Sequence, residues 1–201
     1  MLPIESSSLK FNRKTLNFKL IFKIAKGEIS TFLFDHNDNI WIGTSKDGGL
    51  IHFNITANQT NCFTHDENNS NSISSNSPVG LALQENKLWI VTYDGGINCF
   101  DTEHKIFKKY PVTNEAELAG RTIYIDKTNK VWVTDVSGLK VYDAVNDSFS
   151  GYYPLKSNPN SIKGSCTGIF QDFQGNYWTM HGGEGVGLST TPKGFTFFDN
   201  V

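Results

Sequence analysis

The sequence predicts an all-β fold of the β-propeller type, and its tryptophans are the first reason. Trp41, Trp89, Trp132 and Trp178 are the only four in the 201-residue chain, and each lies at the same place in a repeated segment. The intervals between them are 48, 43 and 46 residues. A period of about 40–50 residues in a chain of short strands is typical of propeller blades.

The second observation is that each repeat contains four segments of strand composition, separated by clusters of Gly, Asn, Asp and Ser. The first strand leads through a tight turn into the Trp strand. A small-residue turn then precedes the third strand, and the fourth ends in an aromatic residue. The third observation is that no stretch shows the sustained 3.6-residue apolar period of a helix. Four-stranded blades are therefore expected at residues 29–65, 79–110, 121–153 and 166–199.

The N-terminal 28 residues predict only part of a blade. Residues 9–12 and 15–18 resemble the second half of a repeat, so Leu9–Phe11 and Phe18–Phe22 are expected to form the outer two strands of a blade that lacks its inner two. Propellers usually close with about four to eight blades. Four complete blades and a half blade therefore predict a fragment of a larger propeller, which we expect to self-associate through its uncovered edges.

Composition excludes several classes of protein. The formal net charge is −2, which gives no reason to expect a nucleic-acid partner. Cys62, Cys99 and Cys166 fall in expected strands and are interpreted as buried small hydrophobic residues. The histidines lack metal-ligand spacing, so neither a metal nor another cofactor is expected. The N-terminus lacks the pattern of a signal peptide, and no apolar stretch could span a membrane, so no direct membrane contact is expected of this segment.

Candidate ligand contacts lie in the longer turns, because variable loops on a rigid scaffold usually carry recognition. The predicted ligand-binding residues combine aromatic, carboxylate and imidazole groups: Tyr93, Asp94, Asp135, His181 and Glu184. Such groups suit a sugar ligand. The alternative interpretation is that each is an ordinary solvated turn residue.

Three segments carry a family resemblance. Asn71-Ser-Ile73 and the segment 158–162 match one loop motif, and Trp41-Ile-Gly-Thr44 matches a core strand motif. Together they resemble the regulator-propeller repeat of hybrid two-component sensors of Bacteroidetes. The resemblance implies an extracytoplasmic (periplasmic) segment of an inner-membrane protein. Its implied partners are an oligosaccharide or related ligand and the remainder of the sensor propeller, and the histidine kinase that it signals to would lie outside this chain.

Two other functions stay open from the residues alone. The chain could be a structural or protein-interaction propeller, or a propeller carbohydrate-active enzyme. A sialidase is excluded by composition, because such enzymes grip a substrate carboxylate with three arginines and this chain has only Arg13 and Arg121. No catalytic constellation stands out, so no catalytic residue and no enzymatic activity is predicted.

Overall fold

The computed structural model of the protein describes residues 7–12, 17–24, 27–37, 39–110, 120–158, 160–183, 185–191 and 194–198. These residues form eighteen β-strands and contain no helix, which confirms the all-β prediction.

The strands form four four-stranded sheets and one two-stranded sheet. The N-terminal pair consists of β1 (Ser7–Asn12) and β2 (Asn17–Lys23). Blade 1 contains β3 (Glu28–Phe34), β4 (Ile40–Ser45), β5 (Leu50–Asn54) and β6 (Gln59–Phe63). Blade 2 contains β7 (Pro78–Gln84), β8 (Lys87–Thr92), β9 (Ile97–Asp101) and β10 (Ile106–Tyr110). Blade 3 contains β11 (Gly120–Ile125), β12 (Val131–Asp135), β13 (Leu139–Asp143) and β14 (Ser148–Tyr152). Blade 4 contains β15 (Cys166–Gln171), β16 (Tyr177–His181), β17 (Gly185–Thr191) and β18 (Gly194–Phe198).

Within each blade the strands pair antiparallel in sequence order, as in a meander. The first strands of successive blades contact one another: β3 contacts β7, β7 contacts β11, and β11 contacts β15. The first strand is therefore the inner strand of each blade and the fourth is the outer one. The N-terminal pair, hereafter the half-blade, consists of β1 and β2.

The core consists of separate apolar clusters between successive sheets. One cluster joins blades 1 and 2 around Trp41, a second joins blades 2 and 3 around Trp89, and a third joins blades 3 and 4 around Trp132. These three tryptophans are 2%, 0% and 1% exposed, so each is packed between two blades. A fourth cluster packs Ile24, which follows the half-blade, against blade 1.

The cysteine interpretation is confirmed for two residues and wrong for the third. Cys99 and Cys166 are buried, and burial raises the pKa of their thiols to about 11 and about 12, so both are neutral at physiological pH. Cys62 is exposed. It lies on β6, the outer strand of blade 1, and no further strand among the described residues pairs with that sheet edge.

Candidate functional site

The propeller has two ends that differ in their turns. The turns between the first and second strands, and between the third and fourth, lie at one end, hereafter the hairpin end. The turns between the second and third strands lie at the other, the loop end, together with the segments that connect blades. The described members of the sequence-predicted ligand set belong to the loop end: Tyr93, Asp94, Asp135 and His181.

Strand pairing places Asp135 and His181 in a slot that the other blades fill with threonine. Each slot residue lies three positions after the blade's tryptophan, and in blades 1 and 2 it is Thr44 and Thr92. Both threonines are fully buried, and their hydroxyls donate to turn carbonyls, Thr44 Oγ1 to Gly49 O at 2.7 Å. The slot therefore serves to close the turn that follows the second strand.

Asp135 performs this role with a carboxylate. Its Oδ1 accepts hydrogen bonds from the Ser137 amide at 2.8 Å and from the Gly138 amide at 3.0 Å. Its Oδ2 pairs with Lys140 Nζ at 2.9 Å, and both side chains are almost wholly buried. A buried carboxylate with these partners is held in place by the turn and does not point to solvent.

His181 is also buried, with 6% of its surface exposed. Its Nε2 lies 2.9 Å from Thr179 Oγ1, a hydroxyl of the same strand. Glu184, the next predicted ligand residue along the chain, lies outside the described residues.

Tyr93 and Asp94 have a different environment, because they lie on the surface of the bend after β8. The Tyr93 side chain is 51% exposed. The Asp94 carboxylate accepts a hydrogen bond from the Ser75 hydroxyl, which fixes the bend to the segment between blades 1 and 2. The structure thus shows Tyr93 and Asp94 as surface groups and Asp135 and His181 as buried groups. It does not present the four as one open surface.

A cleft of about 700 Å³ lies at the hairpin end, where blades 2 and 3 meet. Its volume is within the range of about 300–1,000 Å³ that is usual for small-molecule sites. Charged, amide, hydroxyl and tyrosine side chains line it together. The residues of blade 2 are Gln84, Glu85 and Lys87; those of blade 3 are Thr128, Asn129, Lys130, Val131, Val141, Tyr142, Asp143, Ala144, Ser150 and Tyr152. The two lysines balance the two carboxylates, so the lining carries no net charge.

The wall of this cleft is held rigidly by Asp126. The Asp126 carboxylate accepts hydrogen bonds from the amides of Thr128 and Lys130, at 2.8 and 3.0 Å. It also accepts from Trp132 Nε1 and from the Tyr177 hydroxyl of blade 4, both at 2.7 Å. Burial raises the pKa of Asp126, but these hydrogen bonds outweigh it and lower the pKa to about 2. The turn that lines the cleft is therefore fixed by a permanently ionised carboxylate.

Tyr142 is held in the cleft by two contacts. Its hydroxyl donates to Asp147 Oδ1 at 2.8 Å, and its ring centroid lies 4.7 Å from that of Trp89. The ring stays half-buried and contributes to the cleft lining. A fixed aromatic ring beside amides and hydroxyls is suited to the apolar face and polar rim of a sugar ring.

Within the described ranges, no group of three or more His, Cys, Asp or Glu side chains is arranged to hold a metal ion. The same ranges contain no helix with the length and hydrophobicity needed to cross a membrane.

Comparison with known proteins supports the repeat and the fold. The family described as "Two component regulator propeller" matches residues 23–46, which confirms the resemblance to that repeat in the first blade. No curated protein sequence matches the chain.

Among solved structures, virginiamycin B lyase from Staphylococcus aureus is similar with a TM-score of 0.74 at 13% identity, over 96% of this chain and 62% of the lyase. A streptogramin B lyase is similar with a TM-score of 0.72 at 17% identity, over 96% of this chain and 61% of that one. The extracellular domain of a putative hybrid two-component system from B. thetaiotaomicron has a TM-score of 0.51 at 15% identity, over 92% of this chain and 31% of the domain. At such identities the likeness defines the fold, and the chain spans less than two thirds of each of these proteins.

Proposed function

We propose that this chain is a ligand-binding segment of an extracytoplasmic sensor propeller in a hybrid two-component system. The observation that carries the proposal is the regulator-propeller match at residues 23–46, in a chain whose other blades repeat the same tryptophan strand. The histidine kinase that receives the signal lies outside the chain. The likeness to the extracellular domain of a hybrid two-component system supports this reading.

The ligand of this segment is a neutral oligosaccharide or a related polyhydroxylated molecule, and the cleft between blades 2 and 3 is its site. The cleft supplies a fixed tyrosine ring, amides and hydroxyls, and its charges cancel. Tyr93 and Asp94 at the loop end form the competing site, because they are the exposed members of the sequence-predicted set.

The test is calorimetric titration of the full chain with a panel of neutral oligosaccharides. Ser150→Trp places a bulky ring in the cleft from an exposed strand position, and Tyr93→Ala removes the loop-end ring. We expect Ser150→Trp to weaken binding at least tenfold and Tyr93→Ala to leave it unchanged. The opposite result would move the site to the loop end, and no binding by the wild-type chain would contradict the proposal.

An enzymatic function is the second candidate, because the lyases share the fold over most of this chain. We propose that the chain is not catalytic. Incubation of the chain with the same oligosaccharides, followed by product analysis, separates the two functions. Cleavage that persists after extensive purification would favour the enzyme.

A further inference from the structure

The turn between β15 and β16 exposes an apolar aromatic side chain where the other blades have polar ones. Phe173 lies in this turn and is 97% exposed. The equivalent turn position is His36 in blade 1, Glu85 in blade 2 and Lys127 in blade 3, and all three are exposed although another blade follows each. Exposure at this position therefore does not depend on whether a further blade follows. A phenylalanine there contributes nothing to the core.

The conformation of this turn is fixed by Asp172. Its carboxylate accepts hydrogen bonds from Trp178 Nε1 at 2.9 Å and from the Asn176 amide at 2.8 Å. The bond from Trp178 has the largest effect, and together these bonds lower the pKa of Asp172 to about 2. Asp172 is therefore ionised at neutral pH and keeps its donors. The main chain that carries Phe173 is thus a rigid support of the kind that a recognition group needs.

A second set of contacts joins this turn to the wall of the cleft between blades 2 and 3. The Lys127 amide donates to Gln171 Oε1 at 3.0 Å, and the Lys127 Nζ donates to Asp172 O at 2.7 Å. The same Nζ lies 5.3 Å from the centroid of the Phe173 ring. Thr128, the next residue along the chain, lines the cleft. The Phe173 ring and the cleft are therefore neighbours across a single turn, residues 127–130.

The two aromatic rings of this region suit two rings of one sugar chain. A sugar ring has an apolar face that packs on an aromatic side chain and hydroxyls that bind amides and charged groups. Tyr142 offers an aromatic ring in the cleft. Phe173 offers a second, because Lys127 Nζ lies over one side of its ring and nearly the whole side chain still meets solvent. A single sugar ring can contact only one of the two, whereas a longer sugar chain can contact both.

We propose that Phe173 is a second subsite of the cleft and takes a distal ring of the oligosaccharide whose first ring packs on Tyr142. This inference rests on the function proposed for the cleft. It adds a requirement on the size of the ligand, since the sugar chain must be long enough to cross the turn at residues 127–130. Phe173 therefore selects longer oligosaccharides over short ones.

The test is calorimetric titration of the full chain with neutral gluco-, manno- and xylo-oligosaccharides, each series running from disaccharide to hexasaccharide. We expect the affinity of the wild type to rise with length in the series that binds, until the sugar chain reaches Phe173. Phe173→Ser should abolish this rise, weakening binding of the longest oligosaccharide by about tenfold and leaving the disaccharide unchanged. Phe173→Trp should keep the rise, because it preserves an aromatic face, and Phe173→Leu should lose it.

Ile55→Ser is the matched control, because Ile55 is exposed in a turn of blade 1 at the same end of the propeller. It should bind every length as the wild type does, whereas Ser150→Trp should weaken all lengths. The subsite is overturned if Phe173→Ser binds the long oligosaccharides normally, or if it weakens the disaccharide by the same factor. In both cases a loss of binding in Ser150→Trp would still support the cleft. No binding of any series by the wild type would contradict the function proposed for the cleft together with the subsite.

Discussion

Asp126 connects two blades through one carboxylate. Its five donors come from its own turn, from Trp132 and from Tyr177 of the next blade. Because these donors stabilise the charged form, the pKa of Asp126 falls from 3.8 to about 2. The carboxylate therefore contributes stability above pH 4, and this contribution is lost as the pH falls towards 2.

Replacing Asp126 with Asn should lower the free energy of unfolding at pH 7 by about 1–3 kcal/mol, because an amide leaves at least one of the donors unsatisfied. Chemical denaturation between pH 7 and pH 2 checks this. The free energy of unfolding of the wild type should fall between pH 4 and pH 2 by the contribution of Asp126. The variant should lack this part of the pH dependence. Asp47→Asn, in an exposed turn, is the control. Equal pH profiles for Asp126→Asn and the wild type would contradict the linkage.

The tryptophans of blades 1 and 3 are equally buried but differ in hydrogen bonding. Trp132 Nε1 donates to Asp126, whereas Trp41 Nε1 has no hydrogen-bond partner among the described residues. In blade 1 the corresponding carboxylate, Asp35, accepts instead from Asn39. The Trp41 ring packs against the His52 ring, with centroids 4.2 Å apart and an interplanar angle of 33°.

Trp132→Phe should therefore destabilise the chain more than Trp41→Phe, by about 1–2 kcal/mol. Both changes remove the same ring volume from a buried site, so the difference reports on the hydrogen bond. Equilibrium denaturation of the two variants measures it. Equal losses would mean that the bond between Trp132 and Asp126 contributes little.

At the scale of the element, the repeat could be predicted from sequence because each blade depends on the same few contacts. The tryptophan period, the glycine turns and the strand spacing were sufficient to predict the fold. The predicted β1 and β2 strands are also present, as Ser7–Asn12 and Asn17–Lys23. These features are local, so one sequence is sufficient to detect them.

The environment of the predicted site residues could have been inferred from register. Asp135 and His181 lie three residues after their tryptophans, where blades 1 and 2 have buried threonines. Aligning the four repeats at tryptophan would have indicated a buried slot. The cleft offered no such signal, because its lining comes from several turns and strands that become adjacent only in the folded chain.

The loop between blades 1 and 2 and the loop between blades 3 and 4 are each fixed by a Ser-Ile pair. Ser72 Oγ donates to Asp66 O at 3.0 Å, and Ser161 Oγ donates to Leu155 O at 3.2 Å. The isoleucine that follows each serine is buried, Ile73 in the blade 1–2 cluster and Ile162 in the blade 3–4 cluster. These loops are therefore part of the core as well as connections.

Ile73→Ala should lower the free energy of unfolding by about 2–5 kcal/mol, since the side chain is fully buried. Ile106→Ala is the matched control, because Ile106 is 55% exposed, and it should change stability by less than about 0.5 kcal/mol. Urea denaturation compares them. A small effect at Ile73 would show that the loop is not part of the cooperative unit.

At the scale of the whole molecule, the described blades form an arc with two different end faces. The face of blade 4 carries Phe170, Met180 and Val186, which are 51%, 54% and 38% exposed. Met180 occupies the strand position that Val91 has in blade 2. The next blade covers Val91, so only 1% of that residue is exposed. Exposed apolar surface of this kind is a site for association.

The paired variants Met180→Lys and Val91→Lys test whether the blade 4 face is uncovered in solution. Met180→Lys should change the free energy of unfolding by less than about 0.5 kcal/mol, because a lysine there reaches water. Val91→Lys should cost more than about 4 kcal/mol, because it places an unpaired charge between blades 2 and 3. Thermal and urea denaturation measure both, and light scattering across a concentration series reports association. If the chain self-associates through this face, as the sequence predicts, Met180→Lys should shift it towards monomer. A large loss of stability in Met180→Lys, with a monomer at all concentrations, would instead show that the face is covered within one chain.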